Sequence, residues 1–165
     1  MKKPASSDPK KRKGLIIVNT GDGKGKSTAS FGLALRAAGN KMNVFIMQFM
    51  KGPWKAGERK ALKELSEYVE YEAMGDGFTW DTENPEQDKK TARNAFDIAK
   101  EKLMSGKYQM VILDEINYVL DYKFFPLDEF LETLRNKPKD VHVVCTGRNA
   151  QEKLIEMADL VTEMK

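Results

Sequence analysis

The fold of this chain is decided by eight residues at positions 20–27, Thr20-Gly21-Asp22-Gly23-Lys24-Gly25-Lys26-Ser27. They follow a short apolar run, Leu15 to Val18, which is typical of a strand buried on both faces, and precede a helical pattern over residues 26–38. The closely spaced glycines allow the backbone amides to turn inward around phosphate oxygens. Strand, glycine-rich loop and helix together predict a phosphate-binding P-loop.

Side chains at the end of this loop complete the predicted phosphate site. Lys26 supplies a positive charge, and Ser27 supplies a hydroxyl for Mg²⁺ (or Mn²⁺) at the start of a helix whose dipole favours an anion. We interpret Lys26 as a catalytic group and residues 20–28, through Thr28, as nucleotide-binding. The usual pattern begins with glycine, whereas Thr20 stands here, which indicates a different placement of the phosphates.

A second candidate position is Asp114-Glu115, directly after the apolar run Met110 to Leu113. Open parallel sheets bind their ligands at the carboxyl ends of strands, so Asp114 is expected to hold the metal directly or through water, opposite Ser27. Glu115 is either a water-activating base or a second metal ligand. The alternative without a ligand is that Asp114 caps the next helix.

The remaining apolar patterns predict an α/β fold. Helices are expected over 26–38, from Asn84-Pro85 to about Met104, and around Leu127 to Leu134. Strands alternating with helices favour parallel pairing, and hence a P-loop NTPase fold with a mainly parallel sheet of about six strands flanked by helices. Strands are expected at 15–18, 44–47, 69–74, 110–113, 141–145 and 160–161.

Charge is concentrated at the amino-terminal end. The chain of 165 residues carries a net charge of +3, but residues 1–13 alone carry +5, so the rest is slightly acidic. We therefore expect a disordered basic tail over 1–13 and one domain over 14–165, without nucleic acid as a partner. Apolar runs are too short for a membrane span, and the single cysteine, Cys145, favours the cytoplasm.

The loop Gly75-Asp76-Gly77-Phe78-Thr79-Trp80-Asp81 places two large aromatic residues in a polar, glycine-rich segment. Exposed aromatic side chains on a loop indicate contact with a flat or apolar ligand. The alternative is that Phe78 and Trp80 fold back onto the core as a lid, and composition alone does not decide between the two.

Matches in a fixed order connect these segments to one family. The chain resembles the ATP:corrinoid adenosyltransferases, the cob(I)alamin adenosyltransferases of the CobA/CobO/BtuR type, over about residues 14–165. The matching segments are Asn19 to Thr28, Phe31-Gly32, Ala34 to Ala37, Gln48-Phe49, Lys51-Gly52, Trp54, Gly57 to Arg59, Gly75 to Trp80, Leu113 to Glu115, Pro126-Leu127 and Thr146-Gly147-Arg148.

The resemblance implies a RecA-like homodimer that transfers the 5′-deoxyadenosyl group of ATP to the cobalt of a reduced corrinoid. It forms adenosylcobalamin or an adenosylated precursor and releases triphosphate, and an electron donor such as a flavoprotein reductase supplies the reduced cobalt. It further implies that Arg148 belongs to the nucleotide site. By the same resemblance, Phe78 and Trp80 are expected to act in catalysis by facing the lower side of the corrin ring and displacing its axial ligand.

Other functions stay open on the residues alone, since a P-loop with an acidic strand end also occurs in other classes. A thymidine-kinase-like phosphotransferase usually carries a cysteine-rich zinc site, which Cys145 alone cannot build. An ATPase that holds nucleic acid through the basic tail predicts hydrolysis to ADP. The only histidine, His142, lies on a predicted strand and is expected to be structural.

One departure from the family concerns the carboxyl-terminal end. Members commonly continue past the last strand with a further segment rich in small residues, whereas this sequence ends at Lys165. On the resemblance, we expect this difference to bear on corrinoid affinity more than on ATP binding.

Overall fold

The computed structural model of the chain describes residues 13–50, 57–74 and 85–165. Within these ranges the strands form one sheet in the order β3-β2-β4-β5-β1-β6, and every pairing in it is parallel. The predicted α/β fold with a parallel six-stranded sheet is therefore confirmed. The strands are β1 (Ile16–Thr20), β2 (Val44–Gln48), β3 (Val69–Ala73), β4 (Met110–Asp114), β5 (His142–Thr146) and β6 (Leu160–Glu163).

Helices connect the strands and cover both faces of the sheet. Three of them correspond to predicted helices: α1 (Lys26–Gly39), α3 (Pro85–Met104) and α5 (Leu127–Arg135). Three shorter ones have no counterpart among the predictions: α2 (Gly57–Glu64), α4 (Ile116–Asp121) and α6 (Glu152–Met157). None of the helices in the described ranges is both long and apolar enough to cross a membrane.

Successive side chains of the strands enter two separate apolar layers, as the period of a strand requires. Phe45 and Met47 pack into the layer that α3, α5 and α6 cover, where Phe96, Phe130 and Leu154 are buried. Val44 and Ile46 face the layer under α1 and α2, with Ala34, Ala37 and Leu62. The central strands β1, β2, β4 and β5 are thus buried on both faces. Of the two edge strands, β3 is mostly half-buried and β6 is exposed throughout.

His142 lies at the start of β5, where its Nδ1 accepts a hydrogen bond from the Leu15 N–H at 3.1 Å. Burial lowers the pKa of this imidazole and favours its neutral form. This contact supports the structural interpretation of His142. Residues 1–12 of the predicted tail lie outside the described part of the chain, while Lys13 pairs with Asp159 at 2.5 Å.

Candidate functional site

The P-loop joins the carboxyl end of β1 to the amino end of α1. Gly21 and Gly25 have φ angles of 93° and 109°, which a residue with a Cβ atom adopts only under strain. Gly25 is the N-cap residue of α1 and provides no side-chain cap to the helix. The amides at the start of α1 are therefore left to a ligand, and the helix dipole there favours an anion.

Lys26 is folded into the loop that precedes it. Its side chain is buried, and its Nζ donates hydrogen bonds to the carbonyl oxygens of Gly21 at 2.7 Å and Gly23 at 2.5 Å. The ammonium group is thus held next to the loop amides without a carboxylate partner among these contacts. A phosphate entering the loop meets a cation that is already in position.

A cavity of about 230 Å³ opens above the loop and brings most of the predicted nucleotide-binding residues together. Tyr118 of α4 also lines the cavity, although the sequence had not predicted it as a site residue. Thr20 and Gly21 do not line this cavity, and the Thr20 Oγ1 instead accepts a hydrogen bond from the Ala150 N–H at 3.2 Å. The lining residues are Asp22, Gly23, Lys24, Gly25, Lys26, Ser27, Thr28, Glu115, Tyr118 and Arg148.

Asp114 ends β4 and is completely buried. Its Oδ1 accepts a hydrogen bond from the Thr146 hydroxyl at 2.8 Å, and its Oδ2 accepts one from the Gln48 Nε2 at 3.0 Å. Burial raises the pKa of Asp114, against the contacts with Thr146, Gln48 and Ser27. The capping alternative for Asp114 is wrong, because Glu115 occupies the N-cap position of α4 and makes no side-chain cap bond.

Glu115 has a left-handed backbone with φ at 65°, an uncommon conformation for a glutamate. Its N–H donates to the Thr146 Oγ1 at 2.9 Å, and its Oε2 is buried without a hydrogen-bond partner in the described part of the chain. Burial, followed by the nearby charge of Asp114, raises the pKa of Glu115 to about 7, while Lys26 and Arg148 oppose the rise. A strained, partly ionised carboxyl group next to a phosphate loop is typical of a functional site.

The loop after β5 carries Arg148 to the rim of the cavity. Gly147 has φ at 126°, and its carbonyl oxygen accepts a hydrogen bond from the buried Asn117 Nδ2 at 2.9 Å. Arg148 then reaches the P-loop, where its Nη2 donates to the Asp22 carbonyl oxygen at 3.3 Å. This arrangement places a second cation, besides Lys26, among the residues that line the cavity.

The donor set suits Mg²⁺ only in the presence of a phosphate ligand. Among the described residues, no three histidine, cysteine, aspartate or glutamate side chains cluster as a metal site. Ser27 and Asp114 are within hydrogen-bonding reach of each other, and Glu115 adds a buried oxygen without a partner. Mg²⁺ commonly binds through one or two carboxylates completed by water and substrate phosphates, and these residues fit that pattern.

Phe78 and Trp80 lie outside the described residues, so their predicted role remains a prediction. Gln48, Asn117 and Tyr118 contribute to the site without having been singled out for it. For Gln48, the available signal was a polar residue at the end of a buried apolar strand, at the edge where ligands of parallel sheets bind. Asn117 and Tyr118 lie on α4, which is too short to show a periodic pattern.

Comparison with known proteins connects this geometry to one activity. Residues 12–165 match the family described as ATP:corrinoid adenosyltransferase BtuR/CobO/CobP. The corrinoid adenosyltransferase of Escherichia coli (strain K12) is 42% identical over 153 residues, which are 93% of this chain and 77% of that protein. The corrinoid adenosyltransferase of a Sinorhizobium species is 46% identical over 155 residues, 93% of this chain and 72% of that protein.

A third relative and one solved structure extend the comparison. The corrinoid adenosyltransferase CobA of Salmonella typhimurium (strain LT2) is 40% identical over 153 residues, covering 93% of this chain and 77% of its own length. Domain III of the Thermotoga maritima replication initiation protein DnaA superposes with a TM-score of 0.46 at 15% identity. That match covers 95% of this chain and 56% of the DnaA chain, less than two thirds of its length.

Proposed function

Because this chain belongs to the ATP:corrinoid adenosyltransferase family, we propose that the P-loop cavity holds the triphosphate of ATP while C5′ faces a reduced corrinoid. The enzyme transfers the adenosyl group of ATP to a corrinoid, in agreement with the family description and with the corrinoid adenosyltransferases among its relatives. The observation that carries the proposal is the cavity in which the loop amides, the buried Lys26 and Arg148 converge.

The reaction requires little acid–base catalysis by the protein. Cobalt(I) of the corrinoid substrate attacks C5′ with its electron pair, the C5′–O bond breaks, and triphosphate leaves with the electrons of that bond. Lys26 and the loop amides neutralise the charge that develops on the leaving oxygen. The loop also fixes the triphosphate, so that C5′ and cobalt meet in a defined geometry.

Mg²⁺ belongs to the proposal as the second source of positive charge on the triphosphate. Ser27 and Glu115 would hold it, with Asp114 acting directly or through water. The ion would supply Lewis-acid stabilisation of the departing oxygen. The Glu115 Oε2, buried and without a partner in the described ranges, supports this assignment because a cation would satisfy it.

Two side chains of the kinds that commonly bind cobalt, His142 and Cys145, support the proposal by their positions. His142 lies at the amino end of β5, opposite the edge that carries the P-loop, and burial lowers its pKa. Cys145 is completely buried, and burial raises the pKa of its thiol to about 12. Neither group in the described structure is available as a competing axial ligand, which suits a reaction at a cobalt with an open coordination position.

The proposal of further partners rests on the resemblance to the adenosyltransferase family. We include in the proposal a homodimer, an electron donor such as a flavoprotein reductase, and a reducing cytoplasm as the compartment. Size-exclusion chromatography with light scattering tests the dimer, and the requirement for a reductase is tested by replacing it with a chemical reductant.

Product analysis tests the proposed function. The protein is incubated with ATP, Mg²⁺ and chemically reduced cobalamin, and the products are separated by chromatography. We expect adenosylcobalamin and triphosphate in equal amounts. Formation of ADP without a cobalt–carbon product would refute the proposal and favour a kinase or an ATPase.

Phe78 and Trp80 provide a second test of the same proposal. Replacing either residue with alanine should leave ATP affinity unchanged and lower the fraction of bound cob(II)alamin in the four-coordinate form, measured by electron paramagnetic resonance. The rate should fall more when bound cobalt(II) must be reduced than when cobalt(I) is supplied. Unchanged coordination together with a lower melting temperature would assign both residues to the core instead.

A further inference from the structure

The backbone that follows β6 runs along the outer side of the P-loop. The Met164 N–H donates to the Thr20 carbonyl oxygen at 2.9 Å, and the Gly23 N–H donates to the Met164 carbonyl oxygen at 2.7 Å. These two bonds lie on either side of Gly21 and Asp22. One residue of the carboxyl-terminal segment therefore holds both ends of the first turn of the loop.

The same backbone occupies the space beside two loop glycines. A Cβ atom on Gly21 would lie 2.4 Å from the Met164 carbonyl oxygen, and one on Gly23 would lie 2.7 Å from the Lys165 carbonyl oxygen. Neither contact is tolerated, and main-chain atoms cannot rotate away as the end of a side chain does. A Cβ atom on Gly25 would meet only the Met164 Sδ at 3.8 Å. Gly21 and Gly23 are thus required by residues 164–165 as well as by any phosphate.

The contact also changes how the loop can bind an anion. Because the Gly23 N–H is already donated to Met164, it does not contribute to the phosphate cradle, which is left to the amides that follow. Meanwhile the carbonyl oxygens of Gly21 and Gly23 are the two acceptors of the Lys26 ammonium. The position of the main phosphate-binding cation therefore depends on the backbone of residues 164–165.

We propose that Met164 and Lys165 form a backbone clamp that sets the shape of the P-loop, and that Met164 is a positioning residue for ATP. The inference rests on the proposed role of the P-loop as the ATP site. The clamp acts through main-chain groups, so it depends on the N–H of Met164 rather than on its side chain.

Two variants break the clamp from opposite sides. Met164→Pro removes the N–H that donates to Thr20, and Gly23→Ala places a Cβ atom against Lys165. Each should raise the Kd for ATP about tenfold, as expected for a lost pair of backbone contacts and a displaced loop. ATP binding is measured by calorimetry without corrinoid. The KM for corrinoid should not change. Met164→Leu, which keeps the N–H, should bind ATP as tightly as the wild type.

Controls separate the clamp from a general loss of structure. Gly32→Ala adds a Cβ atom in open space on α1 and should bind ATP like the wild type. In the double variant Gly23→Ala/Met164→Pro, the loss should not exceed that of the more severe single variant, because both changes disrupt the same clamp. Melting temperatures of all variants are recorded in parallel.

Three results would overturn the clamp. They are ATP binding within twofold of wild type in Met164→Pro, additive losses in the double variant, and equal effects on ATP and corrinoid with a lowered melting temperature. Failure of the proposed function gives a different result, in which the wild type binds ATP but forms no adenosylated corrinoid, while the effects of Met164→Pro and Gly23→Ala on ATP binding persist and support the clamp.

Discussion

Two glutamates at opposite ends of the sheet are in opposite situations. Glu115 follows β4 at the carboxyl end, where burial raises its pKa to about 7 and its Oε2 has no partner in the described structure. Glu70 lies near the amino end of β3 and accepts hydrogen bonds from Lys102, Tyr108 and, at 3.0 Å, Lys107. Lys102, and after it Tyr108, lowers the pKa of Glu70 to about 2.

The two ends of the sheet differ in whether the chain itself balances the charge of the glutamate. At the amino end, the charge of Glu70 is balanced by side chains of the chain itself, which ties the end of α3 to the sheet. At the carboxyl end, Glu115 combines a left-handed backbone with an unbalanced carboxyl group, which costs stability in the free protein. On the proposed function, this cost is offset when a metal and a nucleotide bind at the unbalanced end.

The largest effect is expected from Lys26→Ala, which tests the carboxyl end of the sheet. Removing the cation beside the leaving triphosphate should reduce kcat/KM for adenosyl transfer between tens- and about a thousandfold, roughly 2–4 kcal/mol. Lys107→Ala, which removes a cation from the Glu70 cluster, is the matched control and should stay within about twofold of wild type. A rate within threefold of wild type in Lys26→Ala would place the leaving group elsewhere.

A second test measures how much the buried Glu115 carboxylate lowers the stability of the folded protein when metal and nucleotide are absent. Its pKa is raised from 4.5 in the unfolded chain to about 7 in the folded protein, so the wild type loses stability as the pH rises between these values. Glu115→Gln should therefore raise the free energy of unfolding by about 2 kcal/mol at pH 8 and change it little below pH 4.5. Urea denaturation at both pH values measures the difference.

The same variant should need more Mg²⁺ for half-maximal adenosyl transfer, so that stability and activity change in opposite directions. Loss of stability in Glu115→Gln at pH 8 would contradict the comparison. A stable variant with unchanged Mg²⁺ dependence that no longer forms ADP would instead identify Glu115 as a hydrolytic base.

The smallest effect is expected from Glu70→Gln. This change removes a partly exposed ion cluster and should lower the free energy of unfolding by about 1 kcal/mol at pH 7. Because the folded pKa is depressed, the contribution is present above pH 4.5 and disappears as the pH falls toward 2. Urea denaturation at pH 7, 5 and 3 should show the two proteins converging. Reduced adenosyl transfer in Glu70→Gln would mean that the amino end is not independent of the site.

Local patterns account for the parts of the fold that were predicted. The apolar run at 44–47 predicts β2 because such a run is typical of a strand buried on both faces, and the periodic apolar face of α3 predicts that helix. By contrast, α4 and α6 have six residues each, too few for a period to be recognised. The order of the strands depends on contacts between distant segments, which no local window contains.

The same distinction holds for the site. The lining residues 22–28 were predicted because a P-loop is one continuous segment with its own chemistry. Gln48 reaches Asp114 only because β2 pairs with β4 in a register that places these two residues side by side. Tyr118 reaches the cavity because α4 begins directly after Glu115. The chain turns there through a residue with a left-handed backbone, and since that residue is a glutamate rather than a glycine, the sequence does not predict the turn.

The position of β1 in the sheet has a consequence for how the protein folds. The strand that carries the P-loop comes first in the sequence, yet its two neighbours are β5 and β6, more than a hundred residues later. Closing such long loops is slow, so β1 remains an unpaired apolar segment while β2, β3 and β4 can already associate. During synthesis the chain therefore carries an aggregation-prone strand until β5 and β6 emerge. ATP, which binds only the completed P-loop, would stabilise the fully paired sheet and no earlier intermediate.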